Sequence, residues 1–260
     1  FFFFFFHDRM TGMEINPIIE AFNVNRINTV TPGAHMVIDE VMSAWKGQDG
    51  QYCANGLPHV TKIIRKPEGV GCELKALCDG ESNIMMRLEI MKGRDHQRAM
   101  QHADQYKDGT AVTLRLVKPW CDSTKVEPRI IHGDSAFGSV ECALALRKKG
   151  LHFMGAVKTS SREYPKQYFA KKASKFATKE KRGGFIVLQS LQKIVDGAEV
   201  PNSDNPSKPQ PLYALTWFDK VPKSIISTTG SCAPGNPREP DRHCLYFDDD
   251  GILRTQRSKL

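Results

Sequence analysis

Two aspartates at the ends of apolar segments are the residues of this sequence best suited to chemistry. Asp39 follows Val37-Ile38, and Asp134 follows Ile130-Ile131-His132-Gly133 about ninety-five residues further on. Hard divalent cations such as Mg²⁺ prefer carboxylate oxygens, and a pair of such ions can assist the attacking and leaving oxygens of a phosphodiester. Aspartate at the end of a strand is also ordinary turn chemistry, so each residue alone has a purely structural interpretation.

The segments around these aspartates predict the elements that hold them in place. Short apolar runs typical of strands occur at residues 36–38, 71–78, 84–91, 130–132 and 151–157. Asp79-Gly80 separates the second run from the third and predicts a β-hairpin. Ser139 predicts the start of a helix that ends just before Gly150. Strands and helices in this order indicate a mixed α/β domain.

Four other polar residues are weaker candidates for metal ligands. Glu40 follows Asp39, but neighbouring residues of a strand face opposite sides, so we expect Glu40 not to share a metal with Asp39. His132 precedes the second aspartate by two residues and faces the same side, so it either contacts the site or is a structural histidine. Asp79 and Asp219 are typical of turns and are poor candidates for a further ligand.

The composition favours an anionic partner. Lys and Arg number 37 against 29 Asp and Glu, which gives a net charge of +8 at pH 7. Such residues supply most non-specific affinity for DNA by neutralising phosphates, although a solvated basic surface would give the same total. The sequence contains no run of about 18 apolar residues, so it predicts no membrane-spanning helix. Seven cysteines without a C-x-x-C pair indicate reduced thiols in a cytosolic or nuclear setting and argue against a zinc finger.

Residues 158–182 form the most basic segment, with nine basic and two acidic residues. Its aromatic residues share one side of a predicted helix, and most of its lysines lie on the other sides. A basic segment with aromatics can follow a nucleic-acid backbone. The lysines predicted to contact DNA are Lys158, Lys171, Lys172 and Lys175. The alternative is an amphipathic helix whose aromatics enter the core and whose lysines are only solvated.

The order and spacing of these segments resemble the piggyBac-type transposases over roughly residues 15 to 230. The segments that carry the resemblance are Ala21-Phe22-Asn23, Pro32-Gly33, Asp39-Glu40-x-Met42, Lys46-Gly47, 71–79, 132–139, 150–158, Trp217-Phe218-Asp219-Lys220 and Ile226-Ser227-Thr228. Ser135 departs from the pattern, since family members usually carry Asn after the second aspartate.

This resemblance implies an α/β fold with an RNase H-like mixed sheet, flanked by helices and carrying a β-containing insertion. It also implies a division of the chain into four parts. We expect a partial N-terminal lead-in at 1–30 and an RNase H-like core with two acidic residues at 31–165. A basic helix and the β-containing insertion follow at 166–230, and 231–260 is expected to be a Pro/Gly-rich loop with a truncated end.

The resemblance further implies metal-dependent cleavage and strand transfer of transposon ends. Asp39 and Asp134 would be catalytic and would hold two Mg²⁺ or Mn²⁺ ions, and Lys46 would join the basic segment in contacting DNA. The expected partners are transposon ends, target DNA and a second copy of the chain, in the nucleus. The family's third aspartate is expected beyond Leu260, so the chain is expected to be a fragment with little activity alone.

Two other functions remain open from the sequence. A domesticated or decayed derivative would bind DNA without cutting it. An unrelated α/β interaction domain would carry the two aspartates by chance, each as a turn residue.

Overall fold

The computed structural model describes eleven stretches of the chain, and they divide into two compact units, Phe1–Gly230 and Ser231–Leu260. The described residues are 12–44, 59–64, 66–67, 69–121, 128–158, 161, 163–173, 183–192, 210–230, 242–247 and 253–258.

The first unit combines helices and strands in the mixed order that the sequence predicts. Its helices are α1 (Gly12–Thr29), α2 (Arg94–Ala99), α3 (Asp108–Val117), α4 (Val140–Arg147) and α5 (Lys166–Ala173). Its strands are β1 (His35–Ala44), β2 (Thr61–Lys62), β3 (Val70–Asp79), β4 (Met85–Ile90), β5 (Ile130–Gly133), β6 (His152–Ala156), β7 (Gly184–Gln192), β8 (Gln210–Phe218) and β9 (Lys223–Ser227).

Among the described residues, these strands form one nine-stranded mixed sheet. Its order is β2-β3-β1-β5-β6-β9-β8-β7, with β4 also paired to β3. β1 is antiparallel to β3 on one side and parallel to β5 on the other. β6 is parallel to β5, and β9 is antiparallel to β6. The strands of the predicted insertion therefore extend the main sheet beyond β6.

Local sequence signals account for the hairpin and for one helix start. β3 and β4 pair antiparallel as predicted, and the Asp79 carboxylate accepts hydrogen bonds from the Ser82 backbone N–H and hydroxyl in the turn. Ser139 caps α4, since its hydroxyl accepts a 3.0 Å bond from the Cys142 N–H and so satisfies an otherwise unpaired helix donor.

The sheet has two unlike faces, because side chains alternate along each strand. The core face, defined by Ile38, Leu77, Ile131, Phe153 and Ile226, is buried under residues of α3, α4 and α5. Burying this apolar area supplies the main favourable free energy of folding.

The opposite face, defined by Val37, His132, Met154 and Ile225, packs with α1 over β3, β4 and Val41 of β1. Asn23 anchors that helix, because its side-chain amide donates to the Leu88 carbonyl at 2.9 Å and accepts from the Leu88 N–H at 2.8 Å. The backbone N–H and carbonyl of Leu88, on the outer edge of β4, are thereby hydrogen-bonded to a helix side chain instead of being left open.

The second unit corrects the prediction that residues 231–260 form only loop. It contains β10 (Arg242–Phe247) and β11 (Leu253–Ser258), which pair antiparallel. The residues between them include Asp250-Gly251, a turn signal, so this segment carried a hairpin pattern that the sequence reasoning assigned to loop.

No helix in the described parts of the chain has the length and apolarity that a membrane crossing requires.

Candidate metal and catalytic centre

Asp39 and Asp134 are brought together by the pairing of β1 with β5. The aligned pairs of these parallel strands run from His35 with Ile130 to Ile38 with Gly133, and the two aspartates follow the last pair. Each aspartate therefore extends from the same end of the sheet and from the same, opposite face. One oxygen of each lies within 4.8 Å of the other and of a Glu40 oxygen.

Backbone hydrogen bonds orient both aspartates. Asp39 Oδ1 accepts a 2.8 Å bond from the Glu40 N–H. Asp134 Oδ1 accepts a 2.7 Å bond from the Ala136 N–H, and its carbonyl accepts from Gly138 at 2.8 Å. Asp134 is thus a turn residue as well as a member of the cluster, so the turn interpretation and the site interpretation are compatible.

Gly138 holds this turn against β6. A Cβ at position 138 would lie 1.8 Å from the carbonyl oxygen of Ala156, a separation that no side chain can adopt. Only glycine allows the turn to approach the β6 backbone this closely. The position of Asp134 therefore depends on a glycine four residues away.

The expectation that Glu40 lies outside the site is wrong. Its side chain does alternate with Asp39, since Asp39 is exposed and Glu40 is 8% exposed. However, β5 ends at Gly133 while β1 continues to Ala44, so beyond Gly133 no β5 backbone separates the two faces. The Glu40 carboxylate can then approach Asp134 around the strand end, and the three oxygens meet within 4.8 Å.

A lysine that the sequence reasoning missed lies beside Glu40. Lys66 Nζ donates to the Glu40 carbonyl at 3.0 Å and lies 3.8 Å from Glu40 Oε1. Lys66 lies in the loop between β2 and β3, and neither its spacing nor its neighbours in the sequence indicate this contact. The cation partly offsets the negative charge of the three carboxylates.

The donor set fits the cations expected from the sequence. All three groups are carboxylates, and hard cations such as Mg²⁺ and Mn²⁺ prefer oxygen ligands. Asp39 is exposed and Asp134 is half-buried, so the cluster is open to a phosphate from solvent. Among the described residues, this is the group of metal-ligating side chains that the geometry brings together.

His132 does face the side of the sheet that carries Asp134, but its partner is another histidine. Its Nε2 lies 2.9 Å from Nδ1 of His35. Burial lowers the pKa of His132, and the neighbouring His35 lowers it further. His132 is therefore neutral at pH 7 and adds no charge to the carboxylate cluster.

The two turn aspartates are absent from the cluster, as expected. Asp79 is 4% exposed, and its Oδ1 accepts a 2.8 Å bond from the Gly33 N–H. Burial raises the pKa of Asp79, but hydrogen bonds from Ser82 and from backbone N–H groups outweigh burial and lower it below its usual value. Asp219 is exposed in the turn after β8.

The predicted DNA-binding lysines are separated by the fold. Lys158 is exposed just after β6, at the sheet end that carries Asp134. Lys171 and Lys172 lie on α5, whose Phe169 is buried on the core face, and Lys172 Nζ lies 5.6 Å from the ring centroid of Tyr168. The remaining two, Lys46 and Lys175, lie outside the described residues.

Comparison with known proteins gives a family and a fold. The family model described as Transposase IS4 matches residues 8–193, more than half of the chain. A cryo-EM structure of a piggyBac transposase synaptic complex with hairpin DNA matches at a TM-score of 0.61 and 21% identity. The match covers 86% of this chain but 39% of the piggyBac chain. The resemblance to piggyBac-type transposases and the RNase H-like mixed sheet are thereby confirmed.

A second solved structure is much less similar. Endonuclease V of Ciona intestinalis, bound to a DNA 23mer containing inosine, matches at a TM-score of 0.30 and 10% identity, over 85% of this chain and 84% of that chain. This value is too low to support an argument about fold or function. No curated protein matches the chain in sequence.

Proposed function

Since the chain belongs to the Transposase IS4 family, we propose that it forms the catalytic core of a DNA transposase, which cuts and joins phosphodiesters with divalent metal. The observation that carries this proposal is the convergence of Asp39, Glu40 and Asp134 within 4.8 Å at one end of the sheet. The same fold in a piggyBac transposase bound to hairpin DNA supports DNA as the partner. Family membership argues against an unrelated interaction domain.

The residues of the cluster have distinct tasks in this proposal. Asp39 and Asp134 hold the metal, and Glu40 supplies a third carboxylate. The N–H groups of Glu40 and Ala136 each occupy one oxygen of the neighbouring aspartate and so limit its rotation. When bound, two Mg²⁺ or Mn²⁺ ions stabilise charge on the attacking and leaving oxygens of an in-line displacement.

Several parts of the proposal concern the whole protein. The chain spans 39% of the matched piggyBac chain, so the activity, DNA sites and assembly of a complete transposase are proposals here. Strand transfer of two transposon ends fits a homodimer, because each copy would act on one end. Lys46, Lys158, Lys171, Lys172 and Lys175 would hold backbone phosphates, and a DNA substrate would fit the nuclear location expected from the resemblance.

The experiment that tests the proposal separates metal binding from cleavage. Mn²⁺ affinity and cleavage of a labelled hairpin DNA are measured for the chain and for the variants Asp39→Asn and Asp134→Asn. Both variants should lose Mn²⁺ affinity by at least about tenfold, since even outer-shell changes cost ten- to a hundredfold. Any Mg²⁺- or Mn²⁺-dependent cleavage should fall to background in both.

An exposed aspartate outside the cluster gives the matched control. Asp104→Asn makes the same chemical change at a position that is exposed and is not part of the acidic group, so it should keep wild-type metal affinity. Mn²⁺ affinity unchanged by Asp39→Asn would remove the proposed metal site. DNA binding with tight Mn²⁺ binding but no cleavage would favour the domesticated or decayed derivative.

A further inference from the structure

A row of exposed basic and aromatic side chains crosses the sheet beside the acidic cluster. Phe185 of β7 pairs with Trp217 of β8, and Trp217 pairs with Lys223 of β9. Lys158 continues the row, because the N–H of the preceding Val157 donates to the Ser224 carbonyl at 2.9 Å. Paired residues face the same side of a sheet, so the four side chains form one line.

This row shares both the face and the end of the sheet with Asp134. Gly133 is aligned with Gly155 and, through it, with Ile226 and Ala214. Asp134 is one residue further along, level with Ile225 of β9, and the row lies two residues beyond that level. Because neighbouring strands are about 4.8 Å apart and each residue along a strand adds about 3.3 Å, Trp217 lies roughly 16 Å from Asp134 and Phe185 roughly 20 Å.

The aromatic members of the row are exposed although the other side of the same strands is buried. Phe185 is 63% exposed and Trp217 is 41% exposed, whereas the adjacent Phe218 is 4% exposed in the core. Between the row and the cluster, Ile225 and Leu215 are only half-buried. Exposed apolar area of this kind is typical of an interaction surface.

The charged side chains beside these rings indicate which kind of partner would bind. Lys158, Lys220 and Lys223 are exposed at this end of the sheet, and among the described residues near them in the chain the exposed acids are Glu163 and Asp219. A surface that combines cations with aromatic side chains complements a partner that combines phosphates with planar bases. A protein partner of comparable fit would need an acidic, apolar segment.

We infer that the row formed by Lys158, Lys223, Trp217 and Phe185 binds an unpaired segment of the DNA strand next to the phosphate held at Asp39 and Asp134. Lys158 and Lys223 contact phosphates, and Trp217 and Phe185 stack on bases. Only unpaired bases expose the faces that stacking requires. The distance from Asp134 to Trp217 corresponds to about five nucleotides at the 3.4 Å rise of a stacked strand. This inference rests on the proposed function for DNA as the partner.

The test measures binding by fluorescence anisotropy in EDTA, so that neither metal nor cleavage contributes. The probes are a single strand, a duplex with an unpaired tail and a fully paired duplex of the same sequence. Trp217→Ala should weaken binding of the first two probes by about five- to a hundredfold, the range for loss of one stacked base. It should leave the fully paired duplex unchanged, and Trp217→Phe should restore most of the lost affinity.

Two further variants complete the comparison. Lys223→Ala should reduce the salt dependence of single-strand binding by about 0.7 in the log–log slope, the value for one phosphate. Tyr168→Ala is the matched control, because Tyr168 is 45% exposed beside Lys172 on the core-face side of the sheet. It should leave the ratio of the affinities for unpaired and paired probes unchanged. Thermal midpoints equal to wild type will show that the exposed substitutions preserve the fold.

The outcomes separate this inference from the proposed function. Wild-type binding to DNA with no loss in Trp217→Ala, or an equal loss for paired and unpaired probes, would overturn the stacking row and leave the transposase proposal intact. Failure of the wild-type chain to bind any DNA probe would overturn DNA as the partner in both. A selective loss for unpaired probes in Trp217→Ala, with an unchanged ratio of unpaired to paired affinity in Tyr168→Ala, supports the inference.

Discussion

Asp39 and Asp134 occupy equivalent positions on two parallel neighbouring strands, each one residue beyond the last aligned pair, Ile38 with Gly133. Strand pairing therefore sets the positions from which both aspartates extend, and the turn held by Gly138 fixes Asp134 just beyond the last pair. A ladder of backbone hydrogen bonds tolerates little displacement, and errors of about 1 Å in a catalytic group can cost on the order of a hundredfold in rate. The sheet thus provides the precision that metal-dependent chemistry needs.

Glu40→Gln tests whether the third carboxylate contributes to metal binding. The amide keeps the size of the side chain but removes its negative charge, so Mn²⁺ affinity should fall by about ten- to a hundredfold. Isothermal titration with Mn²⁺ measures the change. Glu20→Gln, an exposed position on α1, should have no effect. Equal affinities for Glu40→Gln and wild type would restrict the site to the two aspartates.

Asp79→Asn tests the turn that closes the β3–β4 hairpin. The buried carboxylate accepts bonds from Gly33 and Ser82, so the amide should lower the free energy of unfolding at pH 7 by about 1–3 kcal/mol. Urea denaturation measures this loss. The fully exposed Asp95 gives the control, since Asp95→Asn should leave the unfolding free energy within about 0.5 kcal/mol of wild type.

The lowered pKa of Asp79 predicts how the effect of Asp79→Asn on the unfolding free energy changes with pH. The folded state lowers the pKa of Asp79, so its ionised form stabilises the fold fully above the unfolded pKa of about 3.9. That stabilisation is lost as pH falls through the lower, folded pKa. The difference in unfolding free energy between wild type and Asp79→Asn should therefore narrow in acid. A difference that widened below pH 4 would contradict this account.

Glu89 and Arg115 form a buried ion pair that attaches α3 to β4. Arg115 donates to both Glu89 oxygens, at 2.6 and 2.8 Å, and both side chains are mostly buried. Replacing one partner leaves an unpaired buried charge, so Glu89→Gln or Arg115→Met should each cost about 3–5 kcal/mol. A double-mutant cycle by denaturation measures the coupling. The double variant should lose much less unfolding free energy than the sum of the two single losses. Strictly additive losses would show no direct coupling between Glu89 and Arg115.

Substitution of the basic helix tests the sequence prediction of DNA contact. Replacing Lys171, Lys172 and Lys175 with Ala should weaken duplex binding across DNA sequences. Each lost phosphate contact should also reduce the slope of log affinity against log salt by about 0.9. Titration at several salt concentrations measures that slope.

Three exposed lysines on other elements provide the control for this triple variant. Lys107, Lys148 and Lys149 are exposed, and replacing them with Ala removes the same net charge. A salt slope that changes equally in both triple variants would reflect total charge only. An unchanged slope in the first variant would show that these three lysines are only solvated.

Local signals in the sequence predicted much of this fold. Asp79-Gly80 indicated the hairpin and Ser139 indicated the start of α4, because turn and cap chemistry depends on residues only a few positions apart. Alternation also predicted that Asp39 and Glu40 face opposite sides of their strand, and Asp39 is exposed while Glu40 is buried. These elements needed no knowledge of distant parts of the chain.

The features that were missed depend on contacts distant in sequence. Glu40 reaches the cluster because β5 ends at Gly133 while β1 continues to Ala44, a property of two strands together. The contact of His35 with His132 likewise joins residues on different strands. Strand alternation describes one strand at a time, so it predicted that the Glu40 carboxylate would lie away from the aspartates.

The pairing of β1 with β5 also sets the time at which the centre can form during biosynthesis. β1, β3 and β4 are close in sequence and can pair once residues 35–90 have left the ribosome, but β5 begins at Ile130. Closing so long a loop is slow and gains no free energy until the distant contact forms. A nascent chain therefore carries Asp39 without Asp134, and the metal-binding arrangement comes into existence only when the central sheet is complete.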